Sequence, residues 1–166
     1  MSVDWAQVFH TTYADLVRFL HRKVWDPDRA SDLAQEAFAR ALHQNPDNPR
    51  AWLFTVATNL ARDEARTAIR RKRHLELIKV ETPASAPDAA TLAEESERSS
   101  RVKRALDQLT ERDREALLLW DAGLSYPEIA AQTGLAVSAV GTTLSRARKK
   151  LVEAFEALEG KHAARG

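Results

Sequence analysis

Apolar residues recur at three- and four-residue spacing along this chain, and no stretch before residue 80 alternates as a half-buried strand does. Phe9, Tyr13, Leu16, Val17, Leu20 and Val24 share one face of an amphipathic helix. Asp26-Pro27-Asp28 ends it, because proline has no amide hydrogen to continue the ladder. A second helix follows, with Leu33, Ala34, Ala37, Phe38, Ala41 and Leu42 on its buried side. Asn45-Pro46-Asp47-Asn48-Pro49 reads as a loop, and Asn48 before Pro49 suits the start of a third helix. That helix runs from about Arg50 to beyond Arg73. Its first half is apolar, with Trp52 assigned to the core, and its second half is basic.

Large apolar residues then thin out. The stretch 81–100, "ETPASAPDAATLAEESERSS", is rich in Pro, Ala, Ser and Glu and cannot bury enough surface to offset ordering its backbone. It is expected to be a flexible acidic linker, turning helical towards its end. A second helical unit starts near Arg101, with Val102, Ala105, Leu106 and Leu109 facing inward. Thr110 and Asp113 resemble a capping box, and Ala116 to Trp120 form the next buried face.

From Leu124 to Leu151 the pattern sharpens. Ser125 and Glu128 make an S-x-x-E capping box, and Pro127 sits in the first turn, where its missing N–H costs nothing. The short helix begun by Ile129 and Ala130 stops at Gly134, since glycine tolerates the left-handed turn. Val137, Val140, Leu144, Ala147 and Leu151 then share one face of a longer helix. This is the helix-turn-helix pattern, whose second helix lies in the DNA major groove. The outer face carries Ser138, Thr142, Ser145, Arg146 and Lys149, hydroxyls and cations suited to base edges and phosphates. The fold class is therefore all-α: residues 1–80 and 101–160 form two small helical domains joined by the linker 81–100.

Composition narrows the chemistry. With no cysteine, disulfides and thiolate zinc sites are excluded. His10, His21, His43, His74 and His162 show no metal-ligand or acid–base spacing, and no glycine-rich phosphate loop is present, so neither an enzyme nor a cofactor is expected. The N-terminal residues lack the basic and apolar blocks of a signal peptide, and the longest apolar run, Ala116 to Trp120, is too short to span a bilayer. A cytoplasmic location without membrane contact is expected. The net charge is only +1, but residues 48–80 and 101–166 are net positive while 1–47 and 81–100 are net negative. A chain that meets DNA at two places and protein elsewhere carries charge in this way. Arg62, Arg66, Arg70 and Arg73 recur along one face of the third helix, with Arg71 and Lys72 widening the stripe. Such a rod neutralises phosphates and releases their counterions. On the second helix, Asp32, Gln35 and Glu36 cluster opposite the apolar side.

Together these segments resemble extracytoplasmic-function sigma factors of bacterial RNA polymerase over nearly the whole chain. "DLAQEAFARAL" is similar to the family's clamp-binding helix, "PRAWLFTVATNLARDEARTAIRRKR" to its −10-recognition and promoter-melting helix, and "ALDQLTERDREALLLWDAGLSYPEIAAQTGLAVSAVGTTLSRARKKL" to its −35-reading domain. The resemblance implies that Asp32, Leu33, Gln35, Glu36 and Phe38 dock on core polymerase. It implies that Asn59, Arg62, Arg66, Arg70, Arg71 and Arg73 engage the −10 element, and that Ser138, Thr142, Ser145, Arg146, Arg148 and Lys149 engage duplex −35 DNA. The implied partners are core RNA polymerase, promoter DNA and an anti-sigma factor.

One departure stands out. Relatives carry Lys or Arg, then Ser, then Arg, where this chain has Gly141, Thr142 and Thr143. Glycine within a helix costs about 1 kcal/mol relative to alanine, and two potential DNA contacts are lost. A sigma-mimic adaptor that binds an anti-sigma factor without reading promoters stays open on this ground, although the basic stripe from Arg62 to Arg73 disfavours it. A simple helix-turn-helix repressor leaves the N-terminal motifs unexplained.

Overall fold

The structure, a computed structural model, describes residues 2–78 and 90–164. Every regular element among them is an α-helix: α1 (Trp5–Val24), α2 (Pro27–Ala41), α3 (Pro49–Ile78), α4 (Ala90–Asp107), α5 (Glu111–Asp121), α6 (Tyr126–Thr133) and α7 (Val137–Ala164). The chain divides into two compact units, Met1–Thr82 and Pro83–Gly166.

In the first unit, side-chain caps set the helix starts. Asp4 accepts from the Gln7 amide at 3.2 Å, and Asp26 accepts from the amides of Asp28 and Arg29 at 3.0 and 3.2 Å, with Pro27 in the first turn of α2. Helix α1 ends at Trp25, which takes the left-handed conformation (φ 57°) and donates its amide to the His21 carbonyl. Six residues of α2 are buried, and four of them are alanines (Ala30, Ala34, Ala37 and Ala41), so the helix backbones approach closely. Phe19 of α1 meets Phe54 of α3 edge-on at 5.1 Å in the interior.

The buried stripe of α1 is Thr12, Leu16, Phe19 and Leu20, which corrects the expected face. Phe9 lies at its margin, 41% exposed, stacked on Tyr13 at 4.6 Å and edge-on to Phe38 at 5.1 Å. Leu42, expected inside, is 63% exposed because α2 stops at Ala41 and leaves it beyond the packed face. Helix α3 is buried only at Leu53, Phe54, Ala57, Leu60 and Ala61, and residues 65–78 are exposed throughout. Its N-terminal end is tied to α1, where Arg50 pairs with Asp15 at 3.1 Å and donates to the buried Thr12 hydroxyl at 3.3 Å.

The second unit begins with α4. Residues 81–89 of the expected linker lie outside the described residues, but from Ala90 the chain is helical, so α4 starts within the stretch read as linker. Ala, Leu and Glu in "ATLAEESE" are strong helix formers, and that propensity outweighs the lack of a continuous apolar face. Ala105, Leu106 and Leu109, Ala116–Leu119 of α5, Ile129 of α6, and Val140, Leu144 and Ala147 of α7 are buried, with α7 packed against α4, α5 and α6. Thr110 caps α5 by accepting from the Asp113 amide at 3.2 Å. The Ser125–Glu128 capping box is complete: the Ser125 amide donates to Glu128 at 2.8 Å, and the Glu128 amide donates to the Ser125 hydroxyl at 3.3 Å. Gly134 ends α6 with φ 77°, a conformation that disfavours side chains. Two residues expected inside are not: Trp120, at the end of α5, and Val137, the first residue of α7, are both exposed.

Candidate nucleic-acid interface

On the second unit, α6 and α7 meet across the turn at Gly134–Ala136, and α7 presents Ser138, Thr142, Ser145 and Lys149 to solvent. An open groove of about 670 Å³ runs along this face, lined by Tyr126, Val137, Ser138, Gly141, Thr142 and Ser145. It brings together three hydroxyl residues singled out from the sequence. Of the other three lining residues, Tyr126 was not a candidate from the sequence, Val137 stood on the expected buried face, and Gly141 was marked only as a departure from the family pattern. No local pattern places Tyr126 beside Gly141, because that contact is set by how α6 and α7 pack on each other. A Cβ on Gly141 would stand 3.5 Å from Cε2 of Tyr126, an ordinary contact. The bare position therefore leaves room beside the ring. Thr143 is buried, so the third position of the departure faces the core rather than a ligand.

The two arginines of this helix are held by α5. Arg146 Nη2 lies 3.3 Å from Oδ1 of Asp113, a carboxylate buried to 4% exposure. The Arg148 guanidinium sits 4.5 Å above the Trp120 ring, which accounts for the exposed tryptophan. Both remain exposed enough to face a ligand, but each also has a packing role that the sequence pattern did not reveal.

On the first unit, Asn59, Arg62, Arg66, Arg70, Arg71 and Arg73 are all exposed on α3. The stripe is intact, with Asp63 4.0 Å from Arg66 as a weak internal partner. On α2, Asp32, Gln35 and Glu36 are exposed on the face away from the core. Leu33 and Phe38, assigned to the same docking set, are buried. They hold α2 in place and are not available to a partner on this surface. Asp32 is bonded to Arg29 at 3.2 Å and Glu36 to Arg40 at 2.9 Å, both local pairs.

Arg29 does more than hold Asp32. Its Nε and Nη2 donate to Oε1 and Oε2 of Glu64 at 2.8 and 2.7 Å, a two-bond fork between α2 and α3. The fork holds the Glu64 carboxyl below the usual glutamate range, with partial burial opposing it and the charges of Arg29 and Arg71 adding to it. The same hydrogen bond raises the Arg29 guanidinium. No helix of the described residues is long and apolar enough to cross a membrane.

A family model described as sigma-70 region 2 matches residues 8–73, and one described as sigma-70, region 4 matches residues 99–151. Over 130 residues the chain is 38% identical to the ECF RNA polymerase sigma factor EcfG of Rhodopseudomonas palustris, covering 75% of this chain and 70% of that protein. Over 151 residues it is 28% identical to the ferric citrate uptake sigma factor FecI of Escherichia coli, covering 88% and 87%. Among solved structures it is similar to the sigma factor RpoE of Bartonella quintana, determined in complex with the anti-sigma factor NepR. There the TM-score is 0.66 at 27% identity, over 92% of this chain and 97% of that one.

Proposed function

The chain belongs to the extracytoplasmic-function sigma factors of the sigma-70 family, and from that premise we propose how its residues divide the work of promoter recognition. The protein binds core RNA polymerase and directs it to promoters. It is an initiation factor working in the cytoplasm, and the polymerase supplies all the chemistry. The first unit docks on the polymerase through the exposed face of α2, with Asp32, Gln35 and Glu36 as the contacting groups. Leu33 and Phe38 serve from beneath by fixing that face. Asn59 and the stripe Arg62, Arg66, Arg70, Arg71 and Arg73 take the −10 element as the duplex opens. The second unit reads duplex −35 DNA through Ser138, Thr142 and Ser145, while Lys149, Arg146 and Arg148 contribute phosphate affinity. An anti-sigma factor restrains the protein, as NepR accompanies the similar RpoE.

The observation that carries this reading is the separation of the surfaces. The acidic face of α2 and the basic stripe of α3 are both exposed on one unit, and the hydroxyl-lined groove lies on the other. Runoff transcription with core polymerase tests it. Wild-type protein is expected to give promoter-dependent transcripts that fall when the −35 element is scrambled. Asp32→Ala with Glu36→Ala is expected to weaken core binding without moving the melting midpoint, because both native pairs are exposed and local. Unchanged core binding by that double variant removes α2 as the docking face.

A further inference from the structure

Helix α3 is a rod with two different halves. Up to Ala61 it is packed, and from Ala65 to Ile78 it is exposed throughout. Isolated helices of about 12–15 residues are marginal in water, so the exposed half takes its direction and much of its order from the half that is anchored. Besides its buried side chains, polar ties hold both ends of that anchored half. Arg50 fixes its start to Asp15 and Thr12 of α1, and Glu64, three residues after the last buried side chain, is forked by Arg29 of α2. Arg66, Arg70 and Arg73 all lie beyond Glu64. A rotation or tilt at the point where α3 leaves the core is carried along the whole stripe and grows with distance.

We propose that Arg29 and Glu64 are positioning residues for promoter opening: their two-bond fork sets the direction in which the basic half of α3 leaves the bundle. The geometry favours this over a general structural role. Both groups sit at the surface edge of the α2–α3 seam, not in the core, and Arg29 approaches Glu64 with two parallel bonds, which fix orientation as well as distance. The third bond of Arg29, to Asp32, places the fork directly behind the proposed polymerase-facing carboxylate. One guanidinium therefore ties the helix that bears the proposed polymerase-facing groups to the promoter helix. The inference rests on the reading that the α3 stripe engages promoter DNA.

The test measures two quantities for each variant in the full chain bound to core polymerase: affinity for core, and open-complex formation by thymine reactivity in the melted strand. Glu64→Gln keeps the shape and removes the charge. Arg29→Lys keeps the charge and removes the fork. Each is expected to lower open-complex formation about two- to thirtyfold while core affinity holds, and exchanging the pair (Arg29→Glu with Glu64→Arg) is expected to recover part of it. Arg66→Ala with Arg70→Ala serves as the control for the underlying reading. If the stripe variant lowers opening and the fork variants do not, the positioning role is wrong and the reading stands. If fork variants lower core affinity as much as opening, or if the exchange recovers nothing, the pair is a general structural tie and the proposal falls. If the stripe variant itself leaves opening unchanged, the reading falls and the inference with it.

Discussion

Asp113 and Arg146 show how one residue can carry two demands. The carboxylate is buried at the start of α5, where the helix dipole favours its charge, and the Arg146 guanidinium is the cation that faces it. Arg146→Ala should therefore lower stability by about 1–2 kcal/mol, a modest figure because the arginine side is half exposed. Chemical denaturation followed by helicity measures this. Adding Asp113→Asn should restore part of the loss, since the uncompensated buried charge is then gone. A fall in −35 binding by the single variant at temperatures where it is fully folded would report the proposed DNA contact separately. Gly141 offers the opposite case. A Cβ there meets Tyr126 at ordinary contact distance, so Gly141→Ala should raise stability by up to about 1 kcal/mol through helix propensity. Gly141→Lys should in addition strengthen binding to −35 duplex in a salt-dependent way. Equal affinity of the lysine variant and wild type at low salt would show that this face does not meet DNA.

Among the elements, α3 carries a charged pair near its midpoint that ties it to α2. Because the Glu64 carboxyl titrates below its ordinary value of about 4.3, the fork contributes stability above that pH. The contribution is lost as pH falls through the lower, folded-state value. The difference in denaturation midpoint between wild type and Glu64→Gln should hold steady from about pH 7 to pH 5 and close towards pH 3. A difference that instead widens on acidification would mean the carboxyl is not held by Arg29. Helix α2 takes its placement from alanines and from Leu33 and Phe38 in the core, so Asp32 and Glu36, which are in exposed local pairs, can be changed with little effect on the fold.

At the scale of the whole molecule, each unit has its own core. Residues 1–82 alone should fold as a helical domain that binds core polymerase, and residues 83–166 alone should fold without conferring that binding. Circular dichroism and a core-binding assay on the two fragments check this. Binding by the second fragment at the affinity of the full chain would contradict the assignment of α2. The modest net charge of +1 fits a protein whose hold on DNA is supported by its polymerase partner, so promoter binding by the free chain should be weak and steeply salt-dependent.

The amino-acid sequence determined the helices, their caps and the order of the motifs, because these depend on interactions within a few residues. The Ser125–Glu128 box, the stop at Gly134 and the break at Pro27 are local chemistry, and each is where the pattern placed it. The basic stripe of α3 was legible for the same reason, being a repeat along one rod. Tertiary structure decided what depends on neighbours far along the chain. It rotated the buried face of α1 to admit Phe19 against Phe54. It placed Leu33 and Phe38 beneath the exposed face of α2 that carries Asp32, Gln35 and Glu36, and left Trp120 outside under Arg148. It also paired Arg29 with Glu64, thirty-five residues away. Periodicity gives the side of a helix that is apolar. Which part of that side is covered, and which charge meets which, follows only when another helix is packed against it.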